Sequence, residues 1–268
     1  MTTITVGGVE FGYDEAGEGP VVVLLHAAIG DRRMWDAQFT ALAKDHRVIR
    51  YDRRGFGESA GGSGAFAHHE DLLALLDAWG IERAALVGSS MGGACALDAA
   101  LAVPERITRV ALLGSGLSGH EWPPHMQADI TELTRGIDPA DAVAMTELNL
   151  RYMVVGPGRT PDVLPPGMWE LATRMCELVY TRDSLSPQWT QFPETRHRLG
   201  EITTPALVVI GLSDAPGLIE LSAHLAESLP NSKRVDLPDT GHLPQMERPD
   251  EVTALLRDFL AHDAEVTR

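Results

Sequence analysis

Two rhythms of apolar residues alternate along this chain. Val21–His26 (VVVLLH) and Ala84–Val87 (AALV) are short unbroken aliphatic runs, the pattern of strands buried on both faces. HRVIRYD at 46–52 and Arg109–Leu113 read the same way. Between them the spacing changes to that of helices. DRRMWDAQFTALAK at 31–44 has Met34-Trp35, Phe39 and Leu42 at helical spacing, and 68–79 carries Leu72, Leu73, Leu75, Leu76 and Trp79 before stopping at Gly80. Gly92–Ala102 is a third helix, ending before Pro104. Upstream, TITV and VEFGYDE are two strands joined by Gly7-Gly8, a hairpin signal.

Strand and helix therefore alternate through 21–113, which predicts a parallel sheet with helices on both faces. The alternation lapses at 120–200, where helix-like segments and prolines accumulate without a convincing strand. It resumes with a buried strand at Thr204–Leu212, a helix at Ile219–Leu229, a strand at Lys233–Leu237 and a closing helix at Pro249–Ala261. The expected architecture is a mostly parallel, doubly wound α/β core formed by 1–119 and 201–268. A helical cap, 120–200, is inserted before the strand that leads to Asp214.

The chain has 268 residues, long enough for a sizeable core, and a formal charge of −16. So acidic a surface repels nucleic acid and anionic membranes, and neither is expected as a partner. The two cysteines, Cys95 and Cys176, form no CxxC pair, so neither a disulfide framework nor a zinc site is suggested. The N-terminal stretch lacks a charged region followed by an apolar one, and no apolar run approaches the length of a membrane span, so the expected location is the cytoplasm. The sequence leaves a homodimer open.

One stretch carries chemistry. LVGSSMGGA at 86–94 fits G-x-S-x-G between a strand and a helix, the context of a nucleophile elbow. The turn is so tight that bulk two positions either side of the serine would collide. Gly88 and Gly92 flank Ser90, whereas Val87 and Met91 flank Ser89, so the register selects Ser90. A serine hydroxyl needs a base, and the base an orienting carboxylate. Asp214 follows the strand at 206–211, and His242 lies in DTGHLPQMERP after the last strand, both at the carboxyl edge of the expected sheet.

Four motifs in order, LLHAAIGDRRMW, YDRRGFGES, VGSSMGG and GHLPQMERP, resemble the α/β-hydrolase superfamily over nearly the whole chain. The resemblance implies a Ser90–His242–Asp214 triad in which Ser90 attacks an acyl carbon, His242 moves the proton and Asp214 holds the imidazole. It implies an oxyanion hole from the backbone N–H of Met91 and of Ala28, with Ala27 as the alternative because His26-Ala27-Ala28 replaces the usual His-Gly start. No metal or organic cofactor is required. His26 reads as a brace for that loop and as a pocket candidate, Asp52 as part of a structural turn, and His68 and His69 as metal ligands only in isolation. Glu121, the alternative acid after the strand at 109–113, is second to Asp214.

The cap is expected to supply an apolar pocket, with Trp122, Met126, Met145, Met153 and Trp169 as its candidates beside His26. The expected reaction is hydrolysis of a small, largely apolar ester or lactone, a small-molecule substrate. The alternatives are C–C bond hydrolysis or cofactor-free perhydrolysis on the same triad, and last a non-catalytic ligand-binding protein.

Overall fold

The computed structural model describes residues 2–261 except 123, 183, 185–188, 191 and 193, and at 125, 126, 128 and 129 the backbone alone. Eight strands form one sheet: β1 (Thr2–Val6), β2 (Val9–Ala16), β3 (Val21–Leu25), β4 (Arg47–Tyr51), β5 (Ala84–Ser89), β6 (Ile107–Leu113), β7 (Ala206–Gly211) and β8 (Ser232–Leu237), in the order β1-β2-β4-β3-β5-β6-β7-β8. Gly7 and Gly8, with φ of 57° and 79°, turn β1 back onto β2, as a two-residue hairpin with both central residues at positive φ requires. β2 also pairs antiparallel with β4, and every later pairing is parallel.

Alternate residues of each central strand enter opposite cores. Val23 and Leu25 of β3 pack beneath α2 (His68–Ala78), α3 (Met91–Ala102) and α8 (Pro216–Ser228), while Val22 and Leu24 pack beneath α1 (Asp36–Leu42) and α10 (Pro249–Ala261), which follows the single turn α9 (Pro244–Glu247). That two-sided burial is why β5 and β7 are buried at every position and, Ser89 at the end of β5 apart, carry no polar side chain. α3 runs close against the sheet because its first half is built from Gly92, Gly93 and Ala94; a Cβ at Gly93 would lie 2.2 Å from the Ser115 hydroxyl oxygen.

The chain between β6 and β7 forms α4 (Pro124–Leu133), α5 (Ala142–Asn149), a π-helix at Leu150–Val155, α6 (Met168–Thr181) and α7 (Thr195–Arg198). Where this segment leaves and rejoins the sheet it is tied to one carboxylate. Asp98, buried mid-way along α3, accepts hydrogen bonds from Ser118 (2.7 Å) and Thr195 (2.6 Å). Burial pushes the Asp98 carboxyl up to about 6, against the smaller opposing effect of those two hydroxyls.

No described helix is long and apolar enough to cross a membrane. Among the described residues no group of three or more His, Cys, Asp or Glu side chains is placed to hold a metal ion.

Candidate active site

Ser90, Asp214 and His242 follow the C-terminal ends of β5, β7 and β8, where the connections of a parallel sheet converge. At Ser90 the chain turns from strand to helix within one residue, at φ 51° and ψ −117°, a conformation that costs a non-glycine residue about 1–3 kcal/mol. The surroundings hold it there. The Ser90 N–H donates to the Leu113 carbonyl (3.0 Å), and its own carbonyl accepts from the N–H groups of Gly93 and Gly116, each at 2.9 Å. The flanking glycines are sterically required. A Cβ on Gly88 would fall 2.4 Å from the Gly92 carbonyl carbon, and one on Gly92 would fall 2.2 Å from the Leu25 carbonyl oxygen. The two serines diverge: Ser89 is fully buried and its hydroxyl accepts from Gln245 Nε2 (3.2 Å), whereas Ser90 is partly exposed.

Asp214 and His242 meet in the interior, the first 3% and the second 1% exposed. Asp214 Oδ2 lies 2.8 Å from His242 Nδ1, and its other oxygen accepts from the Ala215 N–H at 2.7 Å. With Nδ1 as donor to the carboxylate, Nε2 is left as a lone-pair acceptor, and among the described residues it has no partner. Gly114, at φ 50°, lets the backbone pass beside this ring: a Cβ there would sit 3.1 Å from His242 Nδ1.

In the loop after β3, the Ala27 N–H donates to Met34 Sδ (3.2 Å) and is thereby occupied. The N–H groups of Ala28 and Met91 donate to nothing among the described residues. Ala28 packs against the small cluster of Phe56, Met91 and Val179.

A model described as "alpha/beta hydrolase fold" matches residues 20–146. The 2-hydroxy-6-oxononadienedioate/2-hydroxy-6-oxononatrienedioate hydrolase of Paraburkholderia phymatum is 32% identical over 92% of this chain and 90% of its own. The chain belongs to the α/β-hydrolase family. Among solved structures, the enol-lactonase from Burkholderia xenovorans LB400 superposes with a TM-score of 0.80 at 27% identity, covering 97% of this chain and all of that one. Est816, described as an N-acyl homoserine lactone degrading enzyme, gives 0.79 at 27% identity over 96% of this chain and 100% of its own.

In this α/β-hydrolase the helical segment between β6 and β7 holds the histidine loop by its backbone. The His242 N–H donates to the Met153 carbonyl of the π-helix (3.3 Å). The preceding N–H, of Gly241, donates to Glu247 Oε2 (2.7 Å), and Glu247 is buried in an ion pair with Arg159. Arg159 also donates to the Asp239 carbonyl at 3.2 Å. Removing one member of such a pair strands the other charge. Arg159→Met should therefore lower the unfolding free energy by about 3 kcal/mol, and Arg159→Met combined with Glu247→Gln should recover part of that loss. Urea unfolding of the two variants is the check; equal losses would place no buried charge at Glu247. Neither residue was signalled by pattern alone, because 88 positions separate them.

The remaining predicted residues divide. Trp122, Met145 and Met153 line a cavity of about 300 Å³, together with Leu148, Asn149 and Tyr180, and its floor is Ala215 and Leu218 at the start of α8. Trp169 is not among its walls: on α6 it packs with Leu164 and Leu171 against the core beneath α1 and α10. His26 is not among the walls of this cavity either; it is fully buried. Its Nδ1–H donates to the Ala27 carbonyl (2.8 Å) and its Nε2 accepts from the Arg53 N–H (3.0 Å). Burial, and then the Arg53 guanidinium, hold it well below the usual histidine range, so it braces the loop as a neutral ring. The Met126 side chain lies outside the described residues.

Asp52 is buried in the turn after β4, where the N–H groups of Arg32 and Glu58 each donate to it at 2.8 Å; burial pushes its carboxyl up to about 6. His68 and His69 are buried at the start of α2, held below the usual histidine range chiefly by burial. Glu121 is largely exposed and paired with Arg196 (2.7 Å).

Proposed function

We propose that this hydrolase cleaves carboxylic esters or lactones through an acyl-enzyme on Ser90, with 120–200 as the cap over the site. The observation that carries the reading is the buried His242–Asp214 pair with its unpartnered Nε2, at the same sheet edge as a serine held at φ 51°. Nε2 accepts the Ser90 proton as the oxygen bonds to the substrate carbonyl carbon. The Ala28 and Met91 N–H groups receive the negative charge that develops on the carbonyl oxygen. Imidazolium, stabilised by Asp214, returns the proton to the departing alcohol oxygen. Water repeats the sequence on the acyl-enzyme, releasing the acid and restoring Ser90.

A second reading, hydrolysis of a C–C bond in a 2-hydroxy-6-oxo-dienoate, is favoured by the name of the relative that is 32% identical. Initial rates separate the two. The ester reading predicts a higher kcat/KM for p-nitrophenyl butyrate or a δ-lactone than for a 2-hydroxy-6-oxo-dienedioate of the kind in that relative's name. The reverse ranking would replace it with C–C hydrolysis.

A further inference from the structure

The cavity against the Asp214 loop says what kind of molecule the site takes. Its walls are Trp122, Met145, Leu148, Met153 and Leu218, and its outer lip is Ile130 and Leu133 of α4, which are 41% and 37% exposed. Among the described residues, no Lys, Arg, His, Asp or Glu lines it. The polar groups in its wall are neutral. Asn149 Nδ2 donates to the Met145 carbonyl (2.9 Å) and to the Tyr180 hydroxyl (2.6 Å), and burial pushes that phenol up to about 12.

The arginines of the cap, Arg174 apart, are engaged elsewhere. Residues 120–200 contain no lysine. Arg135, Arg151 and Arg198 pair with carboxylates on their own helices or turns. Arg159 pairs with Glu247, Arg196 with Glu121, and Arg182 donates to the Gly57 carbonyl. Arg174 is exposed on α6. Arg151 and Arg159 line a neighbouring cleft rather than this cavity; Arg151 pairs with Glu147 in its wall, and Arg159 with the buried Glu247.

The cavity also adjoins the chemistry. Its floor residue Ala215 follows Asp214 and donates to it, and its wall residue Met153 carries the carbonyl that receives the His242 N–H. A substrate part lodged there lies against the residues that flank Asp214 and hold the His242 loop.

We propose that this cavity binds an uncharged apolar tail of the substrate, so that the enzyme selects neutral esters or lactones and rejects dicarboxylates such as the one in its relative's name. The proposal rests on the acyl-hydrolase reading above. The physical reason is desolvation: a carboxylate entering a wall that holds no cation among the described residues loses its water and gains at most a hydrogen bond from a neutral group such as the Tyr180 hydroxyl, less than its charge needs. An apolar chain gains by leaving water.

The test compares two esters of equal length, p-nitrophenyl octanoate and the mono-p-nitrophenyl ester of octanedioic acid, which differ by one terminal carboxylate. The expected kcat/KM ratio favours the neutral ester by on the order of a hundredfold. Leu133→Arg, a change at the exposed lip, is expected to cut that ratio at least about tenfold by supplying the missing cation. Equal rates for the two esters, or a ratio indifferent to Leu133→Arg in a variant that unfolds like the parent, would overturn the proposal. Calorimetric titration of Ser90→Ala with ethyl octanoate and with monoethyl octanedioate reads the same preference without turnover. A neutral preference in binding with no turnover of any ester by the parent enzyme would sink the acyl-hydrolase reading and leave the tail site standing.

Discussion

Ser90→Ala lowers kcat for an aryl ester by on the order of 10⁴–10⁶, while Ser89→Ala keeps activity within about tenfold of the parent. The two expectations come from opposite sides of one turn. Ser90 sits at the strained apex beyond β5, partly exposed, at the sheet edge it shares with His242. Its removal takes away the only oxygen proposed to carry the acyl group. What remains is the oxyanion site and binding, which in serine hydrolases of this logic still give some acceleration over water. Ser89 points the other way, into the interior against Gln245. Its loss strands a buried amide donor, at a cost of about 1–3 kcal/mol in stability, and touches no reacting atom. Steady-state hydrolysis of p-nitrophenyl acetate by the two variants, with thermal unfolding alongside, separates them. Equal loss in both, or loss in Ser89→Ala alone, would displace the nucleophile by one residue.

Gly92→Ala is expected to prevent folding or to cost at least about 3 kcal/mol of stability. The Cβ it introduces would stand 2.2 Å from the Leu25 carbonyl oxygen, 2.7 Å from its carbon and 2.8 Å from the His26 carbonyl oxygen. All three are backbone atoms of β3 and the loop that follows, so no side chain can swing aside. Relief requires α3 to move away from β3, and α3 begins at Met91, whose N–H is one of the two proposed oxyanion donors. Any fraction that folds should therefore lose kcat as well. Soluble yield, urea unfolding and kcat on the same preparation test this. A variant with parental stability and activity would show that helix and strand are less closely apposed than described. Gly93→Ala is the milder control, because its Cβ would meet chiefly the Ser115 side chain at 2.2 Å.

These steric demands explain why so much of the site was readable from sequence. An elbow needs small residues two positions either side of the nucleophile, so Gly88 and Gly92 mark Ser90 before any coordinates. Buried parallel strands need unbroken aliphatic runs, so β3, β5 and β7 are visible, and the residues just past their ends are visible with them. Contacts made by long side chains across the fold leave no such trace. Ala27 and Ala28 look alike in sequence, and only the approach of the Met34 thioether to the Ala27 N–H distinguishes the engaged amide from the free one. Trp122 and Trp169 are both aromatic positions in the cap. Residue type marks each as an apolar side chain to be buried without naming its neighbour; one lines the cavity and the other packs on the core. The π-helix at 150–155 leaves no trace either: nothing in LRYMVV tells a π-helix from an α-helix, yet this segment supplies the Met153 carbonyl that receives the His242 N–H.

The decisive measurement is intact-mass detection of covalent labelling by a fluorophosphonate, followed by peptide mapping. An activated serine gives one adduct, on Ser90, and none in His242→Ala. No adduct on the folded parent protein, an adduct on another residue, or undiminished labelling of His242→Ala would contradict the assignment of Ser90, His242 and Asp214 as one catalytic unit.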